Sequence, residues 1–289
     1  MTAALRQDQA AHFDARSPFT PMSRELRACG FRLPYIMKDV LISQAISQPR
    51  PSPGDRVLDI GCGKGFMLDR LASSYETVGY GVDVSRESLR AARSESLHAL
   101  HVAASDGSCL PFPNSCFDLV ICFDVLEHVP DPEAVIVEML RVLKSEGRVI
   151  FYAVSSKNTF TLNWFLAKGL DLLHVDYWSW SAHSPDRLVD PGLAVAFLEG
   201  QGCRIRLYKP FHAFFTILFD QSVLVLYWVV EKLKGIVGPR DDDTTSGSRL
   251  VSLVSRICVR LLGPLESLDA PWVKRGLSNG FLISARKPR

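Results

Sequence analysis

Short apolar runs alternate with amphipathic stretches along most of the chain, and the spacing of the apolar positions changes with them. Residues 57–60, 77–84, 101–104, 116–123, 148–154, 204–208 and 281–285 are rich in β-branched and aromatic side chains. Gly, Pro, Asp or Ser residues bound them, which is the pattern of buried strands. Between them, Gly65–Ser74, Arg86–Glu95, Pro132–Lys144 and Asp186–Glu199 carry apolar residues near helical spacing. In the third of these helices Asp131 stands as cap, Pro132 falls in the first turn and Gly147 marks the stop. A further helix is expected over Phe31–Ile46, where Leu33, Ile36, Met37, Val40, Leu41 and Ile46 repeat at the same spacing. Strands and helices taking turns predict an α/β fold, a doubly wound and mostly parallel sheet with helices on both faces. The expected organisation is an N-terminal helical cap over 1–50, a core over 51–210, an apolar helical insertion or lid over 211–275, and a final strand over 276–289 that completes the core.

Two segments leave this rhythm. Ser155–Pro185 gathers Phe160, Trp164, Phe165, Tyr177, Trp178 and Trp180, and Phe211–Lys274 opens with a run that is apolar almost throughout. Both leave from the C-terminal tips of strands, the edge at which doubly wound sheets bind ligands, so both should cover a substrate site. On a helical wheel His212, Thr216, Asp220, Tyr227, Glu231 and Lys234 fall within roughly 100° of one another and leave a wide apolar arc. Asp220 near the centre of the run argues against a membrane-spanning helix. Farther on, Arg249, Arg256 and Arg260 oppose Leu250, Leu253, Val254, Ile257 and Leu261, a cationic amphipathic pattern that suits an anionic membrane surface through 211–262. Helices packed as a lid would leave the same pattern.

Composition narrows the classes. The 289 residues are 47% hydrophobic, enough for a large core, and 33 Lys plus Arg against 31 Asp plus Glu give no general electrostatic case for nucleic-acid binding. Seven cysteines without paired spacing form neither a zinc pattern nor a disulfide framework. The polar start, Met1–Ala10, has no apolar core of a signal peptide, so a cytoplasmic protein is expected.

The candidate chemistry begins at Val57-Leu-Asp-Ile-Gly-Cys-Gly-Lys-Gly65, where a strand turns into Gly61, Gly63 and Gly65 before a helix. Such a turn lets a ligand lie against the backbone and the helix N-terminus. Phe66 stands where a dinucleotide fingerprint needs its third glycine, and Gly65 where a P-loop needs Ser or Thr. Further acids follow at later strand ends: Asp83 in Gly81-Val-Asp-Val-Ser85, Asp106 in Ser105-Asp-Gly107, and Asp124 after Cys116–Phe123. A carboxylate at a strand tip can grip the hydroxyls of a ribose.

The glycine loop closely resembles that of class I S-adenosylmethionine (SAM) methyltransferases, whose fold has seven strands with the last antiparallel. Leu110–Asp118, Asp124–Pro132 and Leu143–Arg148 resemble the large group that includes the quinone-pathway enzymes. The ubiquinone-pathway O-methyltransferases are the nearest pattern, through Leu126–Pro132, Asn158 and His183. The resemblance implies SAM as cofactor. It implies that Asp59, Gly61, Cys62 and Gly63 line its methionine and ribose side, that Asp83 holds the ribose, that Val84 covers one adenine face, that Asp106 with Gly107 meets the adenine edge, and that Phe123 follows the methionine portion.

His128 is the first candidate general base and His183 the second, although a histidine packing the loop or capping a helix would look alike. Asp124, Glu127 and His128 could also ligate a divalent cation by analogy with the quinone enzymes, whose first Glu is Asp124 here, and no metal is assigned. The expected activity is methyl transfer to a hydrophobic small-molecule or lipid-linked acceptor, at oxygen. C-methylation of a quinone or isoprenoid and a non-catalytic SAM-binding scaffold are the alternatives.

Overall fold

In the computed structural model of the chain, the described residues are 36–172, 188–220, 222, 260 and 263–289. Strands β1 (Arg56–Ile60), β2 (Val78–Asp83), β3 (His101–Ala104), β4 (Phe117–Phe123), β5 (Leu143–Val154), β6 (Arg204–Phe211) and β7 (Gly280–Arg286) lie in the order β3-β2-β1-β4-β5-β7-β6. The first five run parallel, and β7 runs antiparallel to both of its neighbours. Helices α1 (Ile36–Ile46), α2 (Phe66–Tyr75), α3 (Arg86–Glu95), α4 (Pro132–Val142), α5 (Leu162–Leu172) and α6 (Pro191–Gly200) connect or flank them. The expected seven-stranded, doubly wound sheet is the one observed.

Alternation along the strands sends side chains to two cores. Leu58, Val120, Phe151, Phe281 and Ile283 pack with α4 and α6 on one face. Val57, Ile121, Ile150, Tyr152 and Leu282 pack with α1, α2 and α3 on the other. The end of α1 is fixed by buried Arg148, which donates to the carbonyls of Ala45 at 2.9 Å and Ile46 at 2.7 Å. Burial lowers this guanidinium to about 10, so it remains a cation at the negative end of the helix.

Two local expectations change. Helix α4 stops at Val142 rather than Lys144, because Leu143 already pairs with Phe117 as the first residue of β5. Helix α6 starts at Pro191 rather than near Asp186, since Asp190 caps it by accepting from the amides of Gly192 and Leu193. His183 lies outside the described residues.

Helical residues 215–220 follow β6, and a second helix over 263–273 precedes β7. His212, Thr216 and Asp220, the start of the polar stripe, are buried, while Leu218 is 45% exposed and Phe214, Phe215 and Phe219 are half-buried. The stripe turns inward because partners wait there. Asp269 accepts from the amides of Ala213, Phe214, Phe215 and Thr216 at 2.7–3.3 Å, and from the Thr216 hydroxyl at 2.5 Å. One carboxylate from a distant helix thus satisfies amides that open this one. Tyr227, Glu231, Lys234 and most of Arg249–Leu262 lie outside the described residues. No helix among the described residues is long and apolar enough to cross a membrane.

Candidate active site

The parallel strands deliver their C-terminal ends to one edge, and the expected cofactor residues collect there. After β1, the amides of Gly61 and Cys62 both donate to the Val82 carbonyl, at 2.8 and 3.0 Å, which folds the loop against β2. Gly61 has φ 75°, and a Cβ there would stand 2.2 Å from Val125 Cγ2. Gly63 differs. With φ 51° it also sits in the left-handed region, yet a Cβ built on it meets nothing within 4 Å. The protein leaves open space above that backbone, a cradle that a ligand can enter.

Asp83, at the tip of β2, accepts from Gly63 N at 2.8 Å through one carboxylate oxygen and from Ser85 N at 2.8 Å through the other. It therefore ties the β1 loop to the start of α3. Val84 follows it, half-buried. After β3, Ser105 N donates to the Asp83 carbonyl at 3.1 Å, and Asp106 accepts from the amide and hydroxyl of Ser108. Gly107, φ 81°, lies against Ile60, with a built Cβ 3.0 Å from its Cγ2. The tips of β1, β2 and β3 are in mutual contact. Cys62 is fully buried with its thiol packed against Gly81, so the backbone at this position is what can face a ligand.

Carboxylates also gather around the end of β4. Asp59 is buried near Cys122, and burial with the charges of Asp59, Glu127 and Asp124 pushes that thiol well up. Phe123 is half-buried. Asp124 has φ 56°, its amide donates to the Tyr152 carbonyl at 3.1 Å, and its carboxylate meets Lys38 Nζ at 2.6 Å. Glu127 lies in the short 3-10 turn Leu126–His128. Burial, and then the neighbouring Asp124, push its carboxyl up to about 8, so it is mostly protonated at neutral pH. His128 closes this turn, half-buried, with its amide donating to the Val125 carbonyl. Among the described residues no three His, Cys, Asp or Glu side chains are placed to hold a metal ion.

On the far side of β4 the same edge becomes aromatic. Phe160, Trp164 and Phe165 form a cluster with ring centroids 5.0–6.4 Å apart. Trp272 donates to the Phe160 carbonyl and stacks on Phe214 at 5.5 Å. Phe160 and Phe165 are exposed. Lys38 and Asp269 lay hidden in the sequence. The only sign of the first is a cation within an apolar helical pattern, and a capping carboxylate so far from its helix leaves no local sign.

The edge thus offers an open glycine cradle, a strand-tip carboxylate, and acids in place of the basic groups that a phosphate needs. This inventory fits a cofactor with a ribose and a positive sulfonium. Comparison with known proteins agrees. Residues 58–151 match the model of a methyltransferase domain. The ubiquinone biosynthesis O-methyltransferase of Idiomarina loihiensis is 31% identical over 192 residues, which are 62% of this chain and 75% of the relative. For the enzyme of the same description from Paracidovorax citrulli, identity is 36% over 113 residues, 36% of this chain and 46% of the relative.

Among solved structures, phosphoethanolamine N-methyltransferase 2 of Haemonchus contortus bound to SAM matches with TM-score 0.59 and 18% identity, covering 97% of this chain and 60% of that one. The [4+2]-cyclase SpnF matches with TM-score 0.54 and 18% identity, covering 86% and 80%. At such identity these two speak for the fold alone. The sequence relatives, the matched domain and the chemistry of the edge together make the chain a member of the class I SAM-dependent methyltransferases, with SAM as its cofactor.

Proposed function

We propose that the protein moves the methyl group of SAM to a hydroxyl of a hydrophobic small molecule, with a phenol or quinol bearing an isoprenoid chain as the favoured class. The observation that carries this reading is the division of one sheet edge into an acid-and-glycine half and an aromatic half, which meet at the end of β4. The names of the sequence relatives support the choice of acceptor class.

Bound SAM supplies a methyl on a positive sulfonium, which leaves to a nucleophile by in-line displacement. The chain's own residues bind, orient and exclude water. In this reading Asp59, Gly61, Cys62 and Gly63 line the methionine and ribose side through the loop backbone and the Asp59 carboxylate. Asp83 holds the ribose hydroxyls from the strand tip where its two carboxylate oxygens also accept the Gly63 and Ser85 amides. Val84 covers an adenine face, Asp106 with Gly107 meets the adenine edge, and Phe123 follows the methionine. His128 stands on the loop after β4 as the base candidate, and His183 is the second.

The aromatic half also serves as a shallow docking surface of a cytoplasmic protein on an anionic bilayer. Exposed Phe160, Phe165, Leu218 and Leu268 provide apolar contact; exposed Lys157 precedes Phe160 on the same loop, and exposed Lys274 and Arg275 follow Trp272, which donates to the Phe160 carbonyl.

Incubation with methyl-labelled SAM and a geranylated phenol tests the activity. Label on the phenol oxygen is expected. Label on ring carbon would establish the C-methylating alternative, and SAM binding with no transfer to this probe or to a lipid extract would leave only a scaffold. For the surface, the double variant Phe160→Ser/Phe165→Ser should lose sedimentation with phosphatidylglycerol vesicles and keep its SAM affinity. Undiminished sedimentation would remove the membrane reading.

A further inference from the structure

Tyr152, His212 and Asp220 form a buried polar line at the acceptor half of the edge. His212 Nε2 lies 2.8 Å from Asp220 Oδ2, and His212 Nδ1 lies 3.5 Å from the Tyr152 hydroxyl. The three residues are 3%, 0% and 3% exposed for His212, Asp220 and Tyr152. A carboxylate can only accept, so in the neutral imidazole Nε2 carries the proton, Nδ1 is the acceptor and the phenol donates to it. The second contact is long, as such bonds often are before a substrate closes the site.

Several features show that the line is built rather than incidental. Along β5, Val149, Ile150, Phe151 and Ala153 are all buried and apolar, and Tyr152 is the exception in their midst. Room for its hydroxyl is made by Gly280, where a Cβ would stand 2.0 Å from that oxygen. His212 is held at φ 60°, a conformation that costs a residue with a β-carbon on the order of 1 kcal/mol and persists only where its surroundings enforce it. Lys38 Nζ stands 5.1 Å from the centre of the Tyr152 ring while bonded to Asp124, so positive charge faces the phenol from the side of the methyl-transfer edge. The Asp124 amide bonds the Tyr152 carbonyl, which places the phenol one strand from the loop that carries His128.

We propose that Tyr152 is the group that receives the proton of the acceptor hydroxyl, and that His212 and Asp220, carried by the insertion, are its positioning and proton-storing pair. This rests on the O-methylation reading. As the acceptor oxygen bonds to the methyl carbon, the carbon–sulfur bond breaks and its electron pair stays on sulfur. The acceptor's proton passes to the Tyr152 oxygen, the Tyr152 proton passes to His212 Nδ1, and the imidazolium is balanced by Asp220. S-adenosylhomocysteine, the methyl ether and one stored proton account for all atoms and charge.

Among the described residues, the charged and titratable groups facing the imidazole are Asp220 from helix 215–220 and Tyr152 from β5. Lys38 of α1 and Asp124 after β4 stand beyond the phenol. Asp269 from helix 263–273 is engaged by Ala213–Thr216.

The test uses the full chain, methyl-labelled SAM and a geranylated phenol. Tyr152→Phe and His212→Gln should each lower kcat about a hundredfold, in the range typical of a lost general base, while KM for SAM stays within about twofold. The acidic limb of the kcat–pH profile should vanish in His212→Gln and move to lower pH in Asp220→Asn, where the imidazolium loses its counter-charge. Wild-type kcat and an intact limb in His212→Gln would overturn the relay alone. So would a limb that vanishes only in His128→Gln. Absence of transfer by the wild-type protein would overturn the O-methylation reading and the relay with it. Thermal melts identify a variant that fails to fold, and for such a variant His212→Asn, whose shorter amide can still present an acceptor toward Tyr152, replaces His212→Gln. Because its amide cannot take up a proton, its loss of kcat should match that of Tyr152→Phe, and wild-type kcat in it would count against the relay.

Discussion

Lys38 reaches from α1 to within 2.6 Å of the Asp124 carboxylate, an ion pair between positions 86 apart in the sequence. It closes the first described helix over the end of β4, where the loop glycines, Phe123 and Tyr152 converge. Lys38 is mostly buried, and Asp124 is 38% exposed, so solvent screens part of the attraction and the pair contributes about 0.5–1 kcal/mol. Lys38→Met should lower Tm by about 2–4 °C and weaken SAM binding several-fold. Calorimetric titration showing wild-type affinity would detach this pair from the cofactor site.

Two glycines of the same loop should respond differently to one methyl group. In Gly61→Ala the new carbon would collide with Val125, so the fold itself should suffer. In Gly63→Ala it points into open space, so the loss of stability should be near 1 kcal/mol, from the left-handed backbone alone, while SAM affinity falls by tenfold or more. Asp83→Ala should reduce affinity similarly, since it strands the Gly63 and Ser85 amides as well as the ribose hydroxyls. Melting curves and titrations of the three variants separate the cases, and an unchanged affinity in Asp83→Ala would refute its role.

Glu127 makes stability depend on pH. Its folded carboxyl titrates at about 8 against an ordinary value of 4.5, raised first by burial and then by Asp124. Across that window the native protein holds a proton that the unfolded chain has released. The contribution is therefore complete below about pH 4.5 and is lost as pH rises through 8, on the order of a few kcal/mol in all. Glu127→Gln, neutral at every pH, should flatten the fall of Tm between pH 5 and 8. A slope equal to that of the wild type would place the titration elsewhere.

Asp269 joins helix 263–273 to the start of the insertion through the amides of residues 213–216. Asp269→Ala would leave these donors buried and unmatched, at about 3 kcal/mol. The expected result is early proteolytic cleavage near 211–220 and a lowered Tm, with Asp269→Asn intermediate. Wild-type protease resistance in Asp269→Ala would show that the insertion is held by other contacts.

Much of the cofactor half was legible in the sequence because its rules are local. Gly61 and Gly63 follow a β-branched run, and Asp83 and Asp106 end short strands, so turn chemistry and strand period place them on one edge without any distant contact. Helix starts were less secure. The apolar spacing runs on from Asp186, but the helix begins at Pro191, where Asp190 caps it by accepting from the amides of Gly192 and Leu193. The aromatic half depends on pairs far apart in the chain, such as Tyr152 with His212 or Asp269 with Thr216. A helical wheel can separate His212, Thr216 and Asp220 from Phe214, Phe215 and Leu218. It cannot say which side faces inward, because that depends on partners elsewhere in the fold.

Among the described residues, strand β6 has no neighbour in the sheet but β7, which returns only after the whole insertion has been made. During synthesis the cofactor-side strands β1 to β5 can therefore pair in order, whereas Phe211 and His212 must wait for Gly280–Arg286 to slot between β5 and β6. Until then β5 presents an open, apolar edge beside an unanchored aromatic segment. The aromatic half is the last part of the molecule to assemble, and lesions in β7 should surface first as aggregation of new chains rather than as weakened binding of SAM.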